Sequence, residues 1–171
     1  KAIVARCADH RDRPSAPGER GFVRGRVHTF GKPAHHDHLA LDQRPPVSAA
    51  AYKAIGPRMF VDPLRPATVE ELLNGMIVQS GNDATVVLAE AMAGSEQAFA
   101  QQMNRAALRL GLANTSFRNA TGLPDPEHFT TARDLATLAR RLIADHPDHY
   151  PLYSKREYTF NNIRQPNRNR L

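Results

Sequence analysis

The sequence predicts a single, mostly helical domain with few strands, and three observations carry that prediction. Apolar residues recur at helical spacing through residues 68–110 and again through 131–142. Capping residues stand where those runs begin, and glycines follow the first of them. Only Arg156-Glu157-Tyr158-Thr159-Phe160 alternates in the manner of a strand.

Each helix has its own signals. Thr68 with Glu71 forms a capping box, and Leu72, Leu73, Met76 and Ile77 then make an inward stripe that should stop near Ser80-Gly81. Ala84 to Met92 is apolar on nearly every side except Glu90, the pattern of a helix buried in the middle of a lobe. Gly94 ends it and Ser95 caps the next, whose Phe99, Met103, Ala106 and Leu110 share a face before Gly111 supplies a left-handed stop. Asn114 to Pro126 holds two prolines and reads as a shaped loop. Thr131, with Asp134 three residues on, opens a last helix with Leu135, Leu138, Ala139 and Leu142 on one face.

A chain of 171 residues with 41% hydrophobic residues can bury one core. Its net charge of +6 is uneven. Residues 1–40 hold eight Lys/Arg against four Asp/Glu, residues 41–152 hold ten against twelve, and residues 153–171 hold five against one. No aromatic-interleaved basic motif accompanies the charge, which ranks nucleic acid last among partners. The single cysteine, Cys7, excludes an internal disulfide and a Cys-rich zinc site. No apolar run has the length of a membrane span, and Lys1 to Gly21 lacks the apolar centre of a signal peptide.

Residues 1–40 differ from the rest. Five of the eight histidines and six arginines crowd there with Pro14, Pro17 and Pro33, so this basic leader is expected to be poorly ordered. Gly21-Phe22-Val23 and Val27-His28-Thr29-Phe30 are at best short strands. His35, His36 and His38 lie in a loop without a matching ligand set, so no metal site is assigned.

Ser80-Gly81-Asn82 sits between two apolar helical stretches. Ser and Asn are good helix caps, and a lone Ser-x-Asn before a helix is normally no more than that. Here the triplet has company. Asn119-Ala120-Thr121-Gly122-Leu123-Pro124, Thr131-Ala132-Arg133-Asp134-Leu135 and Pro166-Asn167-Arg168-Asn169 follow it. In that order and spacing, residues 41–171 resemble the penicillin-binding D-alanyl-D-alanine carboxypeptidases, serine peptidases that trim bacterial wall peptides.

The resemblance implies an α+β fold of the beta-lactamase/transpeptidase type, of which this chain would be mostly the helical lobe and a partial catalytic domain. It implies Ser80 as proton relay and Asn82 as the residue that positions substrate, with Gly81 and His128 on the substrate side and no cofactor. It further implies a stem peptide ending in D-Ala-D-Ala as partner, beta-lactams as inhibitors, and a place in the periplasm or cell envelope. Arg168 is expected to make fold-stabilising hydrogen bonds. Pro57 replaces the serine that commonly precedes Arg-Met-Phe in the family, so the turn there is expected to differ.

The family carries two further motifs, Ser-x-x-Lys with the nucleophile and Lys-Thr-Gly. Neither occurs here: no serine has lysine three residues on, and none of Lys1, Lys32, Lys53 and Lys155 precedes Thr-Gly. Gly18 to Arg24, where the nucleophile pair would fall, reads Gly-Glu-Arg-Gly-Phe-Val-Arg. The nucleophile is therefore unassigned, and the chain reads as an incomplete or frame-disrupted member, inactive alone. A non-catalytic protein that binds muropeptides or an anionic polymer is the alternative. Losing the sheet of such a fold should leave the central helix exposed, at roughly 25 cal/mol per Å² of apolar surface.

Overall fold

In the computed structural model, residues 26–28 and 38–169 are described. The expectation of poor order for residues 1–40 falls largely outside them, as do His35 and His36. The described part of that stretch is an antiparallel pair, β1 (Arg26–His28) with β2 (His38–Ala40), in the register Arg26↔Ala40, Val27↔Leu39 and His28↔His38. Leu39 is buried in the core.

The helices follow in chain order: α1 (Ala49–Tyr52), α2 (Val69–Val78), α3 (Asn82–Ala93), α4 (Glu96–Arg109) and α5 (Ala132–Asp145). α3 is the hub, packed against α1, α2 and α4. Residues Asn82 to Ala89 and Met92 are buried, so the central helix is enclosed rather than exposed as the missing sheet suggested. Phe99 and Met103 of α4, Leu72 and Met76 of α2, and Met59 of the α1–α2 connection enclose it, all at 2% exposure or less.

Capping chemistry sets the boundaries. Thr68 Oγ1 accepts from Glu71 N at 3.1 Å while Glu71 Oε2 accepts from Thr68 N at 2.7 Å, which completes the capping box. Ser95 and Thr131 accept from the amides three residues on. Gly94 (φ 79°) takes the left-handed conformation that stops α3, as foreseen. At the start of α3 the N-cap position is Gly81, one residue after Ser80 and one before Asn82, and it makes no side-chain cap hydrogen bond.

On α5 the inward face also differs from expectation. Leu138 and Leu142 are buried, but Leu135 is half exposed and Ala139 is exposed; the third inward position is Asp134. Asp134 Oδ2 accepts from Thr115 Oγ1 at 2.6 Å and Asn114 N at 2.9 Å, and those bonds turn the helix by their demand. They also hold the Asp134 carboxyl below the ordinary carboxylate range, the Thr115 bond foremost.

A 3-10 turn (Tyr150–Ser154) leads to β3 (Glu157–Phe160), which pairs antiparallel with β4 (Ile163–Pro166). β3 was expected; β4 was not. Asn161 (φ 48°) and Asn162 (φ 61°) make the two-residue left-handed turn between them. The hairpin packs on α2 through β3. Lys155 Nζ donates to the buried Asn74 Oδ1 at 2.6 Å, and Gln165 Nε2 donates to Met59 O at 3.0 Å.

Candidate active site

The segment between α2 and α3 is built around two close backbone approaches. Gly81 N donates to Gly75 O at 3.0 Å, and Asn82 N donates to Pro57 O at 2.7 Å. Ser80 between them is left-handed (φ 62°), uncommon for any residue but glycine or asparagine. A Cβ on Gly81 would lie 3.1 Å from both Asp83 Oδ1 and Met59 N, and 3.2 Å from Gly75 O. A side chain at the middle position of the triplet would require these neighbours to give by a few tenths of an ångström.

Asn82 is 3% exposed. Its Nδ2 donates to Ile55 O at 2.7 Å, which fixes the carboxamide plane. Gly56 (φ 88°) permits that approach, because a Cβ there would stand 2.7 Å from Asn82 Nδ2. Pro57 follows in the same turn, and its carbonyl is the group that receives the Asn82 amide. Arg58 beside it donates from Nη2 to Tyr52 O at 2.6 Å and lies between the Tyr52 and Phe60 rings, 5.6 and 5.7 Å from their centroids.

A cleft of about 280 Å³ opens beside Asn82. α1 contributes Ala50, with Lys53 and Ile55 just beyond it; α3 contributes Val86; Asn119, Thr121 and Leu123 form the opposite wall. That wall is rigid. Asn119 Oδ1 accepts from Thr121 Oγ1, Gly122 N and Leu123 N, and Glu96 Oε1 accepts from Ala120 N at 2.9 Å. Lys53 and Glu96 place one charge of each sign on the rim of a largely apolar cavity, the mixture that suits a peptide.

Of the residues singled out in the sequence, Asn82 lines this cleft, Ser80 and Gly81 precede it in the same turn, and His128 is not among its lining residues. The His128 ring stands edge-on to Phe117 at 5.6 Å, and its Nδ1 accepts from Arg118 N at 3.4 Å. Burial lowers its pKa from the ordinary 6.5, against a smaller opposing pull from Asp125. Arg168 N donates to Val78 O at 3.0 Å, so its main chain makes the fold-stabilising bond and fastens the end of β4 to the end of α2.

Asp83 was not singled out, and it is the best-partnered side chain of the region. It is fully buried; Oδ1 accepts from Met59 N and Ala84 N, and Oδ2 from Phe60 N and Val61 N. The available signal was a carboxylate at the start of a mostly apolar helix, since a buried charge must find partners. An acid in the first turn of a helix is so ordinary that it hid this role.

A family model described as D-alanyl-D-alanine carboxypeptidase matches residues 32–171. The chain is 50% identical over 113 residues to the D-alanyl-D-alanine carboxypeptidase DacC of Escherichia coli K12, a match covering 66% of this chain and 28% of that protein. DacF of Bacillus subtilis is 46% identical over 88 residues, covering 52% of this chain and 23% of that one. Among solved structures, penicillin binding protein 6B from Escherichia coli superposes with a TM-score of 0.74 at 37% identity, covering 78% of this chain and 44% of that one. The chain thus spans under a third of the length of the curated relatives it matches. The fold is of the beta-lactamase/transpeptidase type, represented here mostly by its helical lobe. The chain belongs to the D-alanyl-D-alanine carboxypeptidase family.

Proposed function

We propose that this chain carries the Ser-x-Asn lobe of a serine D-Ala-D-Ala carboxypeptidase of the cell envelope, which removes the terminal D-alanine of peptidoglycan stem peptides through an acyl-enzyme. The observation that supports this reading most is the anchored Asn82 carboxamide beside an open cleft, immediately after a left-handed serine. Loss of D-alanine needs a proton delivered to the departing amine, and a hydroxyl that both accepts and donates can relay it. Ser80 is assigned that relay. Asn82 holds the peptide amide in line, its orientation fixed by Ile55.

The acylating serine has no candidate in this sequence, because no serine is followed three residues on by lysine. The chain by itself should therefore bind stem peptide without cutting it. Two measurements on the full chain test this. In intact-mass spectra after incubation with benzylpenicillin, no penicilloyl adduct is expected; an adduct would overturn the assignment of inactivity. In an amide NMR titration with an N-acyl-L-Lys-D-Ala-D-Ala peptide, shifts are expected at Gly81, Asn82 and Thr121. Shifts confined to the basic ends would instead support the anionic-polymer reading, and no shift at all would sink the peptide site.

A further inference from the structure

We infer that Asp83 is a positioning residue, one that sets the geometry of the Ser80–Asn82 turn by pinning residues 57–61 beneath it. The inference rests on the reading of Ser80 and Asn82 as the working pair. It starts from the direction of the hydrogen bonds. A first-turn acid that only served its own helix would accept amides of that helix, as Asp83 Oδ1 does from Ala84 N. Three of the four donors to Asp83 come from another segment, 22 to 24 residues earlier: Met59 N at 2.9 Å, Phe60 N at 2.8 Å and Val61 N at 3.1 Å. Arg58 Nε lies 3.8 Å from Oδ2 and adds a cation on the same side. The carboxylate is 0% exposed, so water cannot replace a lost donor.

The pinned segment is in turn the support for the site. Pro57 O receives the Asn82 amide, and Met59 N is one of the three atoms that crowd the Gly81 position. Met59 O is held from below by Gln165. Two non-glycine residues of this assembly are left-handed, Phe60 (φ 68°) and Ser80 (φ 62°), one on each segment. Such conformations persist where surrounding bonds over-determine them. Asp83 supplies that constraint directly to Phe60, whose amide Oδ2 bonds, while Oδ1 and the Met59 amide stand 3.1 Å from where a Cβ of Gly81, the residue after Ser80, would lie. The segment, the carboxylate and the serine turn form one mechanical unit.

The test is native-state hydrogen exchange on the full chain, with Asp83→Asn as the variant. In the parent, the amides of Met59, Phe60, Val61, Gly81 and Asn82 should share one protection level, because they open together. The variant keeps the volume but turns an amide group toward backbone donors. All five should then exchange faster by about tenfold or more, while Phe99 and Met103 in α4 keep their protection. Affinity for the N-acyl-L-Lys-D-Ala-D-Ala peptide should weaken by about tenfold with it. Faster exchange at Met59, Phe60 and Val61 alone, with Gly81, Asn82 and peptide affinity unchanged, would reduce Asp83 to a loop anchor and overturn the inference. Should the variant not fold, the parental pattern decides: separate protection levels on the two segments overturn it. Should the parent bind no peptide, the functional reading fails while the exchange pattern still judges the pin.

Discussion

Burying a carboxylate costs several kcal/mol unless it is paired, and that cost organises the chemistry around Asp83. Its neighbours leave no slack. In Gly81→Ala the new methyl would meet Asp83 Oδ1, Met59 N and Gly75 O at 3.1–3.2 Å, all polar atoms already in hydrogen bonds. We expect a loss of about 1–3 kcal/mol in stability, read from the urea midpoint at unchanged slope. His128 should show itself through pH. Burial lowers its folded pKa below 6.5, so as pH falls through 6.5 the unfolded chain takes up the proton first. Stability should therefore be fully present above 6.5 and decline on acidification toward the folded value. His128→Gln should flatten that part of the profile in thermal melts between pH 7 and 5. Ser80 and Asn82 drew attention because the triplet came with three other landmarks in order, and the structure sets Asn82 in the lining of the cleft. Asp83 was not, since a sequence shows an acid at a helix start but not which distant amides point at it.

Helix starts were the most legible elements, because a cap and its partner lie three residues apart and need no tertiary information. Thr68→Ala removes the acceptor for Glu71 N and leaves the Glu71 carboxylate as half a capping box. A loss of about 1 kcal/mol is expected, and Thr68→Ser should recover most of it in the same melts. Legibility failed where a polar contact outranked the apolar pattern. On α5 the periodicity alone favoured Leu135, yet the bonds from Thr115 and Asn114 pull Asp134 inward and rotate Leu135 toward solvent. β4 escaped notice for a related reason. Ile163-Arg164-Gln165-Pro166 has one apolar aliphatic residue and a proline, a poor strand by composition, and its strand character comes from pairing with β3. Asn161-Asn162 was the sign available, since asparagine tolerates the left-handed turn of a hairpin.

At the scale of the molecule, one core joins α1 to α5, β2 and the β3–β4 hairpin, with Leu39, Met59, Leu88, Phe99, Leu138 and Phe160 in the same cluster. A core that couples residues 39 and 160 should unfold as a unit, in a single cooperative transition. Far-UV circular dichroism is the suitable probe, as the chain has no tryptophan. Two separated transitions would contradict the single core. What sequence could not supply here was closure: the expectation of an exposed central helix followed from the motifs that are absent, whereas α2, α4 and the α1–α2 connection enclose α3 among themselves. The bond from Gln165 to the Met59 carbonyl spans 106 residues, and that interval is also a delay. A ribosome adding about 5–20 residues per second needs roughly 5–20 s to add Gln165 after it has added Met59. Asp83 follows its three donors after only 22 to 24 residues, so the serine turn can set early in the life of the nascent chain. Its underside stays wet until the hairpin is made, and a chain arrested on the ribosome after α5 would carry the complete Ser80–Asn82 turn over an unsealed Met59.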